Sequence, residues 1–256
     1  IRRSHRRRAR RGARVAGHGV ALPVAVCHPL PFPVQDGFRR GGVHLAAAQR
    51  RQGPLQLPRH RLADERDIYI SGTLAKSAYY EAKITMENHV LAVSRQGFPA
   101  VVLNPTAVFG PGDVHLTLGR ILLAVKRGVV IAWVPVTTNV IDVRDVAAGH
   151  LAAVHKGKVG ERYILGAYNM SVKTLIDLMA TQFNVHPPRF QISIRSIEKF
   201  VKFVDRFPRF STGNHMRAIP YWQSFNTEKA EKELGLTHRP FEKTLVDAIT
   251  WFRQNG

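Results

Sequence analysis

The sequence predicts an α/β protein built on a parallel sheet, and three observations carry that prediction. From Asp64 onward, apolar runs of strand length alternate with segments of helical period, the pattern of strand–helix units whose strands lie parallel. Phe98–Leu103 is apolar without interruption, as a strand buried on both faces requires. Pro105 and the cluster Gly110-Pro111-Gly112 follow it directly and predict a loop at that strand's carboxyl end, where open α/β sheets bind ligands.

The elements follow in order. Ser77–Arg95 reads as a helix, because Tyr79, Lys83, Met86, Glu87 and Val90 recur at steps of three and four, and Gly97 ends it. Glu87 is expected to support that helix as the i,i+4 partner of Lys83. After the Phe98–Leu103 strand, His115–Arg127 reads as a helix and Val129–Val134 as a further apolar run. Asn139–Val143 is a predicted strand, and Asp145 a predicted cap of a helix reaching about His155. Arg162–Leu165 and Phe190–Ile194 read as strands, Ser171–Phe183 and Ser196–Arg206 as helices, and Phe241–Asn255 as the closing helix.

The chemistry sits in Tyr79-Tyr80-Glu81-Ala82-Lys83. Four residues apart on a helix, Tyr79 and Lys83 project from one face. A phenol ordinarily titrates near ~10, and an ammonium one turn away favours the phenolate and brings it toward the working range of an acid/base group. The spacing alone also fits a surface tyrosine beside a solvated lysine. Asn104 and Pro105 read equally well as a strand end with a turn or as neighbours of a bound ring. Asp142, Arg144 and Asp145 read as a capping and ion-pair network, and Trp133, Trp222 and Trp251 as core or pocket wall. Twelve His show no spacing typical of a metal site, and no metal is assigned.

Taken together, Tyr79–Lys83, Asn104-Pro105-Thr106-Ala107-Val108-Phe109-Gly110-Pro111-Gly112-Asp113, Val140–His150, Gly160–Gly166 and Asn226–Gly235 resemble, in that order, the extended short-chain dehydrogenase/reductases. The likeness is to the NAD-dependent epimerase/dehydratase group, and within it to the dihydroflavonol-4-reductase-like and hopanoid-associated sugar-epimerase-like branch. It covers about residues 62–256. The resemblance implies the carboxyl-terminal part of a Rossmann-type doubly wound sheet, with residues 63–165 as a partial NAD(P)-binding domain and 166–256 as a substrate lobe with closing helices. It implies hydride transfer to or from a carbonyl or alcohol carbon, with Tyr79 as acid/base and Lys83 holding the ribose of NAD(P). Asn104 and Pro105 would then lie beside the nicotinamide. The implied substrate is a small carbonyl, phenolic or sugar-like molecule, in a pocket shaped by Gly166–Trp222. Phe200, Phe203, Phe207, Phe210, Tyr221 and Trp222 fit a flat ligand there and fit a lobe core equally. Reductase and nucleotide-sugar epimerase/dehydratase branches share these motifs, and both stay open.

Residues 1–62 do not resemble that family. They hold fourteen Arg and one acid, Asp36, in a chain whose net charge is +20. No helical period or alternating strand is legible there, only apolar scraps such as Val20-Ala21-Leu22, and the segment is expected to be irregular. Gly17-His18-Gly19 reads as turn glycines, since Pro23 stands where a helix would follow a phosphate cradle. Four readings stand: a shifted-frame translation of a GC-rich gene, a transit peptide, a solvated Arg-rich arm, and an arm that neutralises nucleic-acid phosphates. No aromatic interleaving supports the last. Ser71, Thr73 and Ser77 read as loop or helix-start residues, so the family's Ser/Thr hydroxyl is not assigned. A front end missing in this way leaves strand edges open, and homodimerisation or aggregation is expected, as is a catalytically defective product. With 256 residues and 45% apolar content the chain is long enough for one core and a lobe. A single cysteine, Cys27, suits a reducing, cytoplasmic compartment, and no apolar run is long enough to span a membrane.

Overall fold

The computed structural model describes residues 22–25, 61–67, 78–204, 219 and 222–255, with backbone alone for 22–25, 78–80 and 204. Ser71, Thr73, Ser77, Phe207, Phe210 and Tyr221 lie outside the described residues.

The first sheet has the order β1 (Leu22–Ala25), β2 (Ala100–Pro105), β6 (Arg162–Leu165), and all its strands are parallel. The second is β3 (Ala107–Phe109), β5 (Thr137–Asp142), β7 (Tyr168–Ser171), parallel between β3 and β5 and antiparallel between β5 and β7. A short parallel pair, β4 (Ala132–Trp133) with β8 (Phe190–Gln191), stands apart. The helices are α1 (Ala78–Arg95), α2 (Gly119–Lys126), α3 (Val143–Lys156), α4 (Val172–Phe183), α5 (Ile194–Val204) and α6 (Phe241–Asn255), with a π-helical turn at Ala230–Leu234. The predicted α/β class with parallel strands is the observed one.

Four expectations need correction. The loop expected at Pro105 does not begin there: β2 runs through Pro105, and after Thr106 the chain resumes as β3 in the second sheet. The reason is in the ladder. The amides of Val102 and Thr106 bond toward β6, to Glu161 O and Leu165 O. In a parallel strand alternate residues face opposite neighbours, so Pro105 faces β1, whose last pairing is Ala25 with Leu103. The donor that proline lacks is thus not one of those that bond β2 to β6. The turn comes at Gly110 and Gly112, with φ of 141° and 90°.

The helix expected at His115–Arg127 starts only at Gly119, because the Asp113 carboxylate accepts from the amides of Thr117 and Gly119 at 2.8 Å each and holds residues 113–118 in a turn. The cap of α3 is Asp142, not Asp145: its Oδ1 accepts from Arg144 N at 2.7 Å. Finally, residues 1–62 are not irregular throughout, since Leu22–Ala25 pairs with β2 as a parallel strand. Four residues of Leu-Pro-Val-Ala are too short for periodicity to reveal. The strand expected at Phe190–Ile194 is shorter, Phe190–Gln191, and β3, β7 and the π-helical turn had no sequence signal.

Two cores hold these layers. One joins β3 and β5 to α2, α4 and α6 through Phe109, Leu122, Val140, Met179 and Leu245, with Trp133 and Trp222 packed on it. The other joins β2 and β6 to α3 and the π-helical turn through Leu103, Ile141, Tyr163, Leu165 and Leu234. Among the described residues no helix is long and apolar enough to cross a membrane.

The second core contains a buried phenol. Burial pushes Tyr163 up to about 12; the Glu233 carboxylate adds to this, and the Lys158 amide bonded to the oxygen opposes it. Its neutral form is thus favoured by folding. That stabilisation is complete below the ordinary value of 10.0 and is lost as pH rises toward about 12. Denaturant midpoints followed from pH 9 to 12 are expected to fall over this window, and Tyr163→Phe is expected to flatten the fall.

Candidate functional site

Helix α1 carries the residues singled out by the sequence. Its inward side buries Ile84, Glu87 and Ser94, and Gly97 follows it with φ 98°. Two bonds fix its direction against β2. Ser94 Oγ donates to Ala100 O at 3.4 Å, near the start of the strand. Asn104 Nδ2 donates to Glu87 Oε2 at 2.9 Å, near the strand's end. The helix therefore runs antiparallel to β2. With about 1.5 Å of rise per helical residue, Lys83 lies about 6 Å and Tyr79 about 12 Å beyond Glu87, past Asn104 and toward the carboxyl end of the strand. Tyr79 occupies the first turn of α1, and half-buried Lys83 lies one turn on.

Asn104 and Pro105 end β2, and both are buried. The Asn104 amide nitrogen is engaged by Glu87. Glu87 itself, 4% exposed, does more than brace its helix: Oε1 accepts from Arg162 Nη1 at 2.5 Å. The other Arg162 nitrogen donates to the carbonyls of Glu65 and Asp67. Glu65 Oε1 in turn accepts from Ile164 N at 2.9 Å.

A second polar cluster sits where β2 passes to β3. Asn139, on β5 and 1% exposed, accepts at Oδ1 from Thr106 Oγ1 at 2.8 Å and Ala167 N at 3.0 Å, and donates through Nδ2 to Asn169 Oδ1 at 2.9 Å. Asn169 exchanges bonds with the Phe225 backbone, and Phe225 bridges to Ala63. Gly166 fits against Asn139 because it has no side chain: a Cβ there would stand 2.3 Å from Asn139 Oδ1.

The predicted capping network is present. Asp142 accepts from Arg144 Nε at 2.9 Å, from Arg144 Nη2 at 2.6 Å and from Thr244 Oγ1 at 2.7 Å. Asp145 accepts from the Arg239 amide at 2.8 Å and from its guanidinium. Both acids serve packing between α3 and the carboxyl-terminal segment. Among the described residues no group of His, Cys, Asp and Glu is placed to hold a metal ion.

Sequence reasoning passed over Arg162, Asn139, Thr106 and Gly166. Arg162 and Gly166 stand in the Gly160–Gly166 block and Thr106 in the Asn104–Asp113 block, but nothing in those blocks singled them out.

Residues 62–166 match the NAD dependent epimerase/dehydratase family. Over that stretch the chain is similar to this family. A Synechocystis sp. protein that carries the name dihydroflavonol 4-reductase is 33% identical over 192 residues, covering 70% of this chain and 55% of that protein. Cinnamoyl-CoA reductase 2 of Arabidopsis thaliana is 26% identical, covering 71% of this chain and 49% of that protein. The chain thus spans about half the length of these relatives. Among solved structures, a nucleoside-diphosphate-sugar epimerase from Pseudomonas aeruginosa superposes with a TM-score of 0.68 at 28% identity, covering 78% of this chain and 63% of that one. The epimerase/dehydratase fold is of the Rossmann type, and α1, β2 and β6 fall within the matched stretch.

Proposed function

We propose that this chain is part of an NAD(P)-dependent oxidoreductase of the extended short-chain dehydrogenase/reductase type, acting on a carbonyl or alcohol of a small phenolic or sugar-like molecule. The observation that supports it most is the course of α1, which carries Tyr79 and Lys83 one turn apart toward the carboxyl end of β2 in a family-matched stretch. Residues 63–165 form the cofactor part in this reading and 166–256 the substrate part.

The residues present fit the ribose and nicotinamide end of the cofactor. Lys83 offers a half-buried ammonium for the ribose hydroxyls, and the end of β2 at Asn104 and Pro105 offers a buried wall. No Gly-rich pyrophosphate turn occurs among the described residues. Bound there, NAD(P)H would supply a hydride for the carbonyl carbon. Tyr79 gives the proton to the resulting alkoxide oxygen and is reprotonated from solvent, and Lys83 favours the phenolate left between those steps.

A second reading, a nucleotide-sugar epimerase or dehydratase, draws on the Pseudomonas aeruginosa neighbour. Reduction of a dihydroflavonol, followed by loss of reduced-nicotinamide absorbance, separates it from interconversion of a nucleotide sugar, which consumes no net nucleotide. In whichever assay the chain turns over, Tyr79→Phe is expected to lower kcat by about 10²–10⁴-fold with nucleotide KM little changed, while Lys83→Ala harms both. Near-normal turnover of Tyr79→Phe across pH would overturn the assignment.

A further inference from the structure

Glu87 is the third residue of a single stripe on α1, one turn past Lys83 and two past Tyr79. It is the member of that stripe that faces the sheet as a buried carboxylate. Its two oxygens take different partners: Oε2 the amide of Asn104 on β2, Oε1 the guanidinium of Arg162 on β6. The Arg162 side chain is itself only 15% exposed. Its second nitrogen crosses to the carbonyls of Glu65 and Asp67, in the stretch that precedes α1. One guanidinium therefore holds both the middle of the helix and the chain that leads toward it.

This arrangement constrains more than distance. A carboxylate buried to this degree is costly unless paired, so the contact cannot open without a large loss. The planar fork of an arginine fixes direction as well as separation, which a point ammonium does not. A helix held at one point by Ser94 near its end can still roll about its axis. A second, directional hold at Glu87, seven residues earlier, removes that freedom.

We propose that Glu87 and Arg162 are positioning residues: their ion pair sets the roll of α1 on the sheet and so aims the Tyr79–Lys83 face at the carboxyl end of β2. The inference rests on the reading of Tyr79 and Lys83 given above. Displacements of about 1 Å at a reacting group can cost on the order of 10²-fold in rate, so a rolled helix lowers turnover while leaving nucleotide affinity nearly intact.

The test uses the full chain labelled with fluorotyrosine. The Tyr79 fluorine signal is assigned by its loss in Tyr79→Phe, and the Tyr168 signal by its loss in Tyr168→Phe. In Glu87→Gln and Arg162→Lys the Tyr79 signal is expected to move and broaden, while that of Tyr168 on β7 stays in place. In a turnover assay the same variants are expected to lose about 10–100-fold in kcat at nearly constant nucleotide KM. Arg162→Lys keeps the charge and loses only the fork, and it carries the same readout where Glu87→Gln fails to fold. A Tyr79 signal identical to the parent in a folded variant would reduce the pair to a fold staple and overturn the proposal. A parent whose turnover is indifferent to Tyr79→Phe would instead overturn the proton-transfer reading, and the fluorine signals would still decide whether Glu87 and Arg162 set the helix.

Discussion

Gly166→Ala is expected to lower the melting temperature of the chain by roughly 10 °C. A Cβ at this position would meet Asn139 Oδ1 at 2.3 Å and the Thr106 and Thr227 methyl carbons at 2.9 Å each. None of these is the free end of a flexible side chain. Asn139 Oδ1 is held by Thr106 Oγ1 and Ala167 N, and its amide nitrogen by Asn169. Overpacking of this kind costs about 1–3 kcal/mol, and displacing a buried acceptor from its donors adds about 1–3 kcal/mol. The sum corresponds to roughly 10 °C for a domain of this size. Thermal melts of the two chains decide it, and an unchanged melting temperature would mean that the Asn139 cluster adapts freely.

Asp142→Ala is the second large effect, about 3–5 kcal/mol from loss of a partner in a buried pair. The carboxylate has no exposed surface, and Arg144, 35% exposed, keeps only Asp247 once it is gone. Thr244, fully buried, loses its 2.7 Å acceptor and keeps only the Pro240 carbonyl at 3.4 Å, and α3 loses its cap. Asp142→Asn, which keeps the shape and a cap oxygen, should cost distinctly less. The carboxyl also predicts the acid limb. Burial alone would push Asp142 up, but the bonds from the Arg144 side chain, Thr244 and the Arg144 amide together hold it below the ordinary 3.8. Asp64 is held down to about 2, first by the Arg66 side chain. A depressed carboxyl stabilises the fold fully above its unfolded value and loses that contribution as pH falls through its folded value. Stability measured by denaturant titration should therefore drop between about pH 4 and 2, and Asp142→Asn should flatten the drop.

Much of this was legible in the residues. Helix α1, the apolar β2, the β6 strand and α6 follow from periodicity and Gly punctuation, since their sequences obey one period each. The corrections come where a local rule met a non-local partner. Asp145 looks like a cap by spacing, yet Asp142 can also recruit Thr244 from α6, a hundred residues away. Leu22–Ala25 is a strand because β2 offers it a ladder, not because its own four residues demand one. The Tyr79–Lys83 pair was readable from its spacing. What sets its direction was not: Glu87 reads as one more helix charge until Arg162, 75 residues on, is folded beside it.

The strand order has a consequence for how molecules of this protein meet one another. β1 takes one side of β2 and β6 the other. A stray strand, from a second copy or from an unfolded neighbour, would have to displace one of them to pair with β2. The strand whose end lies toward the Tyr79–Lys83 part of α1 is thereby not offered as a template to the protein's own kind.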